Sequence, residues 1–92
     1  MEFEWDPNKA ATNLKKHGVA FEEAEQAFFD PNGVEFLYEP DSEEEVRFRL
    51  LALSPKRLLL VGYTIRESEI IRIITARKAT SVERRYYNES KR

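Results

Sequence analysis

The sequence contains no cysteine and a single histidine in 92 residues. Without thiols there is no disulfide framework, no thiolate nucleophile and no Cys-based zinc site. With one imidazole, a zinc site would have to draw most of its ligands from carboxylates. The acidic run Asp41, Glu43, Glu44 and Glu45 could hold a hard cation but reads as a solvated loop, so no metal site is expected. Glycine is also scarce: Gly18, Gly33 and Gly62 are scattered, which excludes a phosphate-cradling loop and a dinucleotide fingerprint. A Ser-His-Asp triad would have to use His17, and no serine stands in a nucleophile-elbow context. No apolar run approaches the ~18 residues of a membrane span. The opening Met1-Glu2-Phe3-Glu4-Trp5-Asp6 lacks the basic and apolar regions of a signal peptide. A soluble, cytoplasmic protein is the expectation.

What is present suits one small domain spanning residues 1–92. Hydrophobic residues make up 41% of the chain, with six Phe, four Tyr and one Trp, enough for one core and too apolar for a disordered chain. The net charge of −2 conceals a division. Residues 1–46 carry 13 acidic and three basic groups, a net of −10, whereas residues 47–92 carry four and 12, a net of +8. Such a chain can present a basic face to a polyanion while its overall balance stays acidic, or the two halves can pair within the fold.

Asp6-Pro7 predicts a helix start: Asp caps free backbone N–H groups, and Pro loses nothing in the first turn. Ala10, Ala11 and Leu14 recur at helical spacing, and Gly18 ends the element. A second helix is expected from about Phe21 to Phe29, with Phe21, Ala24, Ala27 and Phe28 on its apolar face. Asp30-Pro31-Asn32-Gly33 is a turn. Four strands follow: Val34–Tyr38, Val46–Leu53, Leu58–Thr64 and Ile70–Thr75. Val46, Phe48, Leu50 and Ala52 are expected on one face, with Arg47 and Arg49 on the other. Short links favour an antiparallel meander. Thr80-Ser81-Val82-Glu83 fits a capping box opening a last helix, with a frayed tail from about residue 89. The expected fold is α+β, in the order α-α-β-β-β-β-α, with an antiparallel sheet packed against helices.

The candidates for chemistry are cations and tyrosines. Arg72 interrupts Ile70-Ile71-Arg72-Ile73-Ile74, and a guanidinium in such a run must be paired or face a groove; Glu69 and Glu83 are the expected partners. Arg77-Lys78 is expected between this strand and the free N–H groups of the last helix, a setting that attracts phosphate. His17 follows Lys15 and Lys16 where the helix dipole favours cations. Tyr63 and Tyr86 could stack on bases. Cations alone suffice for one reaction, because in RNA the 2′-OH can attack its own adjacent phosphate. The protein then need only align the strand, stabilise the phosphorane and move protons.

Phe3-Glu4-Trp5-Asp6 with Lys9, Asn13, Lys16-His17-Gly18-Val19 and Phe21-Glu22-Glu23-Ala24 resembles the opening of the BrnT toxin family. Arg72-Ile73-Ile74-Thr75-Ala76-Arg77-Lys78-Ala79-Thr80, then Glu83-Arg84-Arg85 and Tyr86, resembles its closing motif. Tyr63 stands where related chains often carry His. The resemblance implies a ribonuclease toxin of a type II toxin–antitoxin system with a RelE-like fold and no cofactor. It implies silencing by a BrnA-like ribbon-helix-helix antitoxin, in a complex expected to be heterotetrameric that represses its own operator DNA. On this basis Arg72, Arg77 and Lys78 are expected to bind the scissile phosphate. His17 or Tyr63 would move protons, and Glu83 would orient the arginines. Arg47, Arg49, Arg66, Arg84 and Tyr86 would track the RNA. A non-catalytic nucleic-acid-binding module and a pure antitoxin-binding module are the alternatives.

Overall fold

A computed structural model describes residues 1–38, 46–67 and 69–91. The acidic run 41–45 therefore lies outside the described residues. Eight elements follow one another: β1 (Glu2–Glu4), α1 (Pro7–His17), α2 (Phe21–Ala27), β2 (Val34–Tyr38), β3 (Arg47–Leu53), β4 (Leu58–Arg66), β5 (Ile70–Lys78) and α3 (Ser81–Ser90). The five strands form one sheet in the order β1-β5-β4-β3-β2. β2 to β5 make the expected antiparallel meander.

The order departs from expectation at the start of the chain. A strand precedes the helices, and β1 pairs in parallel with Ile70–Arg72 of β5. Three residues give too short an alternation to be read as a strand, and it is the tertiary pairing that makes them one. β5 is also longer than expected, running through Lys78.

Local signals explain the helices. Asp6 caps α1 by accepting a hydrogen bond from the Asn8 N–H at 2.8 Å, and Pro7 occupies its first position. Gly18 closes it at φ 70°, a left-handed conformation that favours glycine. α2 stops at Ala27, before the expected Phe29, which is left exposed. α3 opens on the expected capping box and continues through Ser90, with Lys91 over the Tyr87 ring.

Helices cover both faces of the sheet. On one face α1 and α2 pack over Leu50, Ala52, Leu59, Val61, Ile73 and Ala76, with Phe21, Ala24 and Ala27 contributed by α2. On the other, Tyr87 of α3 sits on Leu51, Leu58 and Leu60. Each fully buried large apolar side chain contributes roughly 1.5–3 kcal/mol. Leu14 departs from the expected pattern: it is exposed, and the buried residue of α1 is Asn13. Arg57 closes the frame as a structural cation, with Nη2 donating to Gly18 O at 2.8 Å and to Glu23 at 2.9 Å.

Candidate functional site

Successive side chains in a strand point to opposite faces. In β5, Ile71 and Ile73 face the α1/α2 core, so Arg72 between them projects from the other side. Arg77 is an odd number of residues further on, and a regular strand would send it to the opposite face. The register shifts at this point: Tyr63 pairs with Ile73, but Gly62 pairs with Thr75, leaving Ile74 as an extra residue. That bulge reverses the parity and brings Arg72 and Arg77 to one face. Arg47 and Arg49 of β3 share it, opposite Thr64 and Gly62 of β4. Arg66 joins from the end of β4, opposite Ile70.

The floor between these cations is made of small residues, Gly62, Thr64 and Thr75. A Cβ on Gly62 would stand 2.6 Å from Thr75 Cγ2, so glycine is what lets β4 and β5 meet here. A cavity of about 180 Å³ opens on this face, with Arg47, Arg49, Gly62 and Thr75 in its wall. Beside it lies a larger, more apolar cavity of about 370 Å³ between α3 and the sheet, lined by Phe36, Leu51, Leu60 and Tyr86 and also touched by Arg49 and Glu83. The Phe36 and Tyr86 rings stand 5.6 Å apart.

Carboxylates aim two of the arginines. Arg77 Nη1 and Nη2 each donate at 2.9 Å to a different oxygen of Glu83, a two-pronged contact that fixes the guanidinium plane. Glu83 also accepts from Thr80 N at 2.8 Å, while its own N–H donates to Thr80 Oγ1. The residue that caps α3 is thus the one that orients Arg77. Hydrogen bonding from Arg77 holds the Glu83 carboxyl below the usual carboxylate range against the opposing effect of burial, and Glu83 raises Arg77 in turn. Arg72 donates to Glu4 Oε2 at 2.8 Å, and Arg66 Nη1 lies 3.7 Å from the same oxygen. Its partner is therefore neither Glu69 nor Glu83 but a residue of the unforeseen β1. These pairs are half exposed, so they set orientation more than stability.

Several expectations change. Tyr63 is a core residue: 2% exposed, packed on Phe28 and Phe48, with its hydroxyl donating to Glu35 on the α1/α2 side. Tyr63 contributes to the wall of the cavity of about 180 Å³, but its hydroxyl is directed to Glu35 and not toward the arginines. Arg77 and Lys78 lie within β5 rather than in a loop, and Lys78, next after Arg77, projects the other way. The capping box occupies N–H groups at the start of α3 that had been expected to meet phosphate. His17 lies off the arginine face, in a cavity of about 330 Å³ formed by Lys9, Thr12, Asn13, Lys16 and Thr75. Ile74 and Thr75 line both this cavity and the arginine one. Arg84 and Tyr86 lie exposed on α3.

Asn13 and Glu4 are positioning residues that sequence reasoning named only as parts of the family's opening motif, without a role. Asn13 Nδ2 donates to Val19 O at 2.9 Å and Ala76 O at 2.8 Å, and its Oδ1 accepts from Ala76 N at 3.1 Å and Thr75 Oγ1 at 3.2 Å. β1 pairs with β5 only as far as Arg72, so the side chain of Asn13 satisfies the β5 edge where no strand does. The available signal was a polar residue at a core-facing helical position.

A family model described as "Ribonuclease toxin, BrnT, of type II toxin-antitoxin system" matches residues 5–83. The chain belongs to this family. It is a family of ribonuclease toxins, and its type implies an antitoxin partner and an RNA target. The crystal structure of the Brucella abortus ribonuclease toxin BrnT superimposes with a TM-score of 0.64 at 21% identity, over 88% of this chain and 99% of that one. At that identity the likeness establishes the shared α+β fold. No curated protein matches the chain. No helix among the described residues is long and apolar enough to cross a membrane.

Proposed function

We propose that the chain is a metal-independent endoribonuclease toxin of RelE-like fold that cuts RNA in the cytoplasm, stops translation and arrests growth. The observation that carries this reading is the bulge at Ile74, which gathers Arg72 and Arg77 with Arg47, Arg49 and Arg66 on one face. The substrate supplies the nucleophile. The 2′-oxygen bonds to the adjacent phosphorus, the bond to the 5′-oxygen breaks, and a cyclic phosphate and a 5′-hydroxyl result. One proton leaves the 2′-OH and one reaches the departing oxygen.

Arg77, its plane set by Glu83, and Arg72, held by Glu4, bind the non-bridging oxygens and stabilise the added charge of the phosphorane. Lys78 points away from the clamp and adds positive potential from the strand edge. His17, across the shared wall of Ile74 and Thr75, is the proton carrier in this reading, because an imidazole can donate from one ring nitrogen and accept at the other. Arg47, Arg49, Arg66 and Arg84 hold the flanking backbone, and Tyr86 with Phe36 offers a base a stacking surface in the apolar cavity. The partner in this reading is a BrnA-like ribbon-helix-helix antitoxin, forming a heterotetramer that carries the toxin to operator DNA.

The test is expression of the native chain and of Arg77→Ala, followed by growth and RNA analysis, with the purified proteins assayed in chelator. Support is arrest with RNA fragments ending in cyclic phosphate from the native chain only, undiminished by chelator. Salt-sensitive RNA binding with no cleaved product would instead favour the non-catalytic module.

A further inference from the structure

The face of α1 that meets β5 carries Lys9, Thr12, Asn13 and Lys16, at the i, i+3, i+4, i+7 spacing that usually marks a helix's apolar, core-facing stripe. Here the stripe is polar, and two of its four members are cations. The helix dipole explains a cation at Lys16, in the last turn, but it opposes one at Lys9, which stands in a first turn without any acidic residue. Among the described residues no carboxylate forms an ion pair with either lysine. Both line one cavity of about 330 Å³ with His17 and Thr75. The helix is held in register by the four hydrogen bonds of Asn13, so the two ammonium groups are presented from a fixed frame. The cavity lies at the open edge of β5, and Ile74 and Thr75 form part of the wall of the arginine cavity as well.

We propose that Lys9 and Lys16 form a second phosphate-binding subsite, which takes the backbone of the RNA strand one or more nucleotides beyond the scissile phosphate. The strand then turns around the β5 edge at the bulge, from the arginine face to the α1 stripe, and passes His17 as it does so. This rests on the ribonuclease reading above.

A labelled single-stranded deoxyoligonucleotide, which has no 2′-OH and cannot be cleaved by the proposed route, serves as the probe. Its affinity is measured over a range of salt for the native chain, for K9Q/K16Q, and for the charge-matched control K15Q/K56Q. Both pairs remove exposed lysines, and equal unfolding midpoints confirm that each variant folds. In K9Q/K16Q we expect binding roughly 5- to 20-fold weaker at low salt. The salt slope should fall by about 0.7 for each phosphate that the protein no longer neutralises, with a much smaller change in the control. The His17 ring resonances should also move when the probe binds to the native chain. Equal behaviour of the two variants overturns the subsite while leaving the ribonuclease reading standing. Loss of antitoxin binding in K9Q/K16Q with probe binding unchanged makes the stripe a protein interface and also overturns it. Failure of the native chain to bind the probe at all overturns the subsite, while the ribonuclease reading stands or falls by the cleavage assay above.

Discussion

Replacing Asn13 by alanine removes two donated and two accepted hydrogen bonds at the α1–β5 junction. Thr75 is exposed and can turn to water. The other three partner atoms, Val19 O, Ala76 O and Ala76 N, belong to residues with 0% exposure. Stranding a buried backbone group costs about 1–3 kcal/mol, so the lower bound for three is about 3 kcal/mol. For a domain whose total stability is of order 5–15 kcal/mol, that is a large fraction. At roughly 4–8 °C per kcal/mol for a chain of this size, the melting midpoint should fall by about 12–25 °C. Urea unfolding is the cleaner assay: the midpoint should drop with little change in slope, because the surface exposed on unfolding is nearly the same. Asn13→Asp has the same shape but accepts only, and should be at least as damaging at neutral pH, recovering in part when acid restores one donor. A loss under about 1 kcal/mol for Asn13→Ala would refute the claim that this side chain stands in for a missing strand.

Gly62→Ala should cost about 1–3 kcal/mol, because its Cβ meets a stiff β-branched side chain at 2.6 Å, and pairing it with Thr75→Ser should restore most of that in a double-mutant cycle. Glu83→Gln should lower RNA cleavage more than it lowers stability, since the half-exposed contact to Arg77 orients the guanidinium; equal losses would make Glu83 merely structural. Glu23, Asp30 and Glu83 all have carboxyls held below their ordinary range in the folded chain. The unfolded chain therefore binds protons more readily, and stability present above about pH 4 should drain away as acid protonates these groups, as followed by urea midpoints. Tyr87 runs the other way: burial, and then its hydrogen bond to Asp30, pushes its hydroxyl up to about 12. That contribution is full below pH ~10 and is lost between there and about 12, which a phenolate absorbance titration of Tyr87→Phe against the native chain will detect.

Much of this protein was legible because its signals are local. Asp6-Pro7, Gly18, the Asp30–Gly33 turn and the Thr80–Glu83 box each satisfy backbone groups within a few residues, so they act wherever the chain goes. The alternation of Arg47 and Arg49 with apolar neighbours likewise marked one face of β3 as basic. Arg77, Glu83 and Arg72 stood out by residue type, and the motifs at both ends of the chain pointed to the family that the match over residues 5–83 establishes.

The arrangement of those residues was decided elsewhere. Whether Arg72 and Arg77 share a face depends on one extra residue at Ile74, and strand periodicity alone predicts the opposite. Tyr63 reads like any half-buried tyrosine until the packing of Phe28 and Phe48 encloses it. β1 exists only because the Ile70–Arg72 edge is there to receive it, and with it comes Glu4, the partner of Arg72. Asn13 gains its meaning from Val19 and Ala76, the latter 63 positions away. Caps, turns and apolar periods are written in neighbouring residues. Parity across a bulge, closure of a sheet edge and the pairing of distant charges arise from contacts remote in sequence, and only the folded chain brings them together.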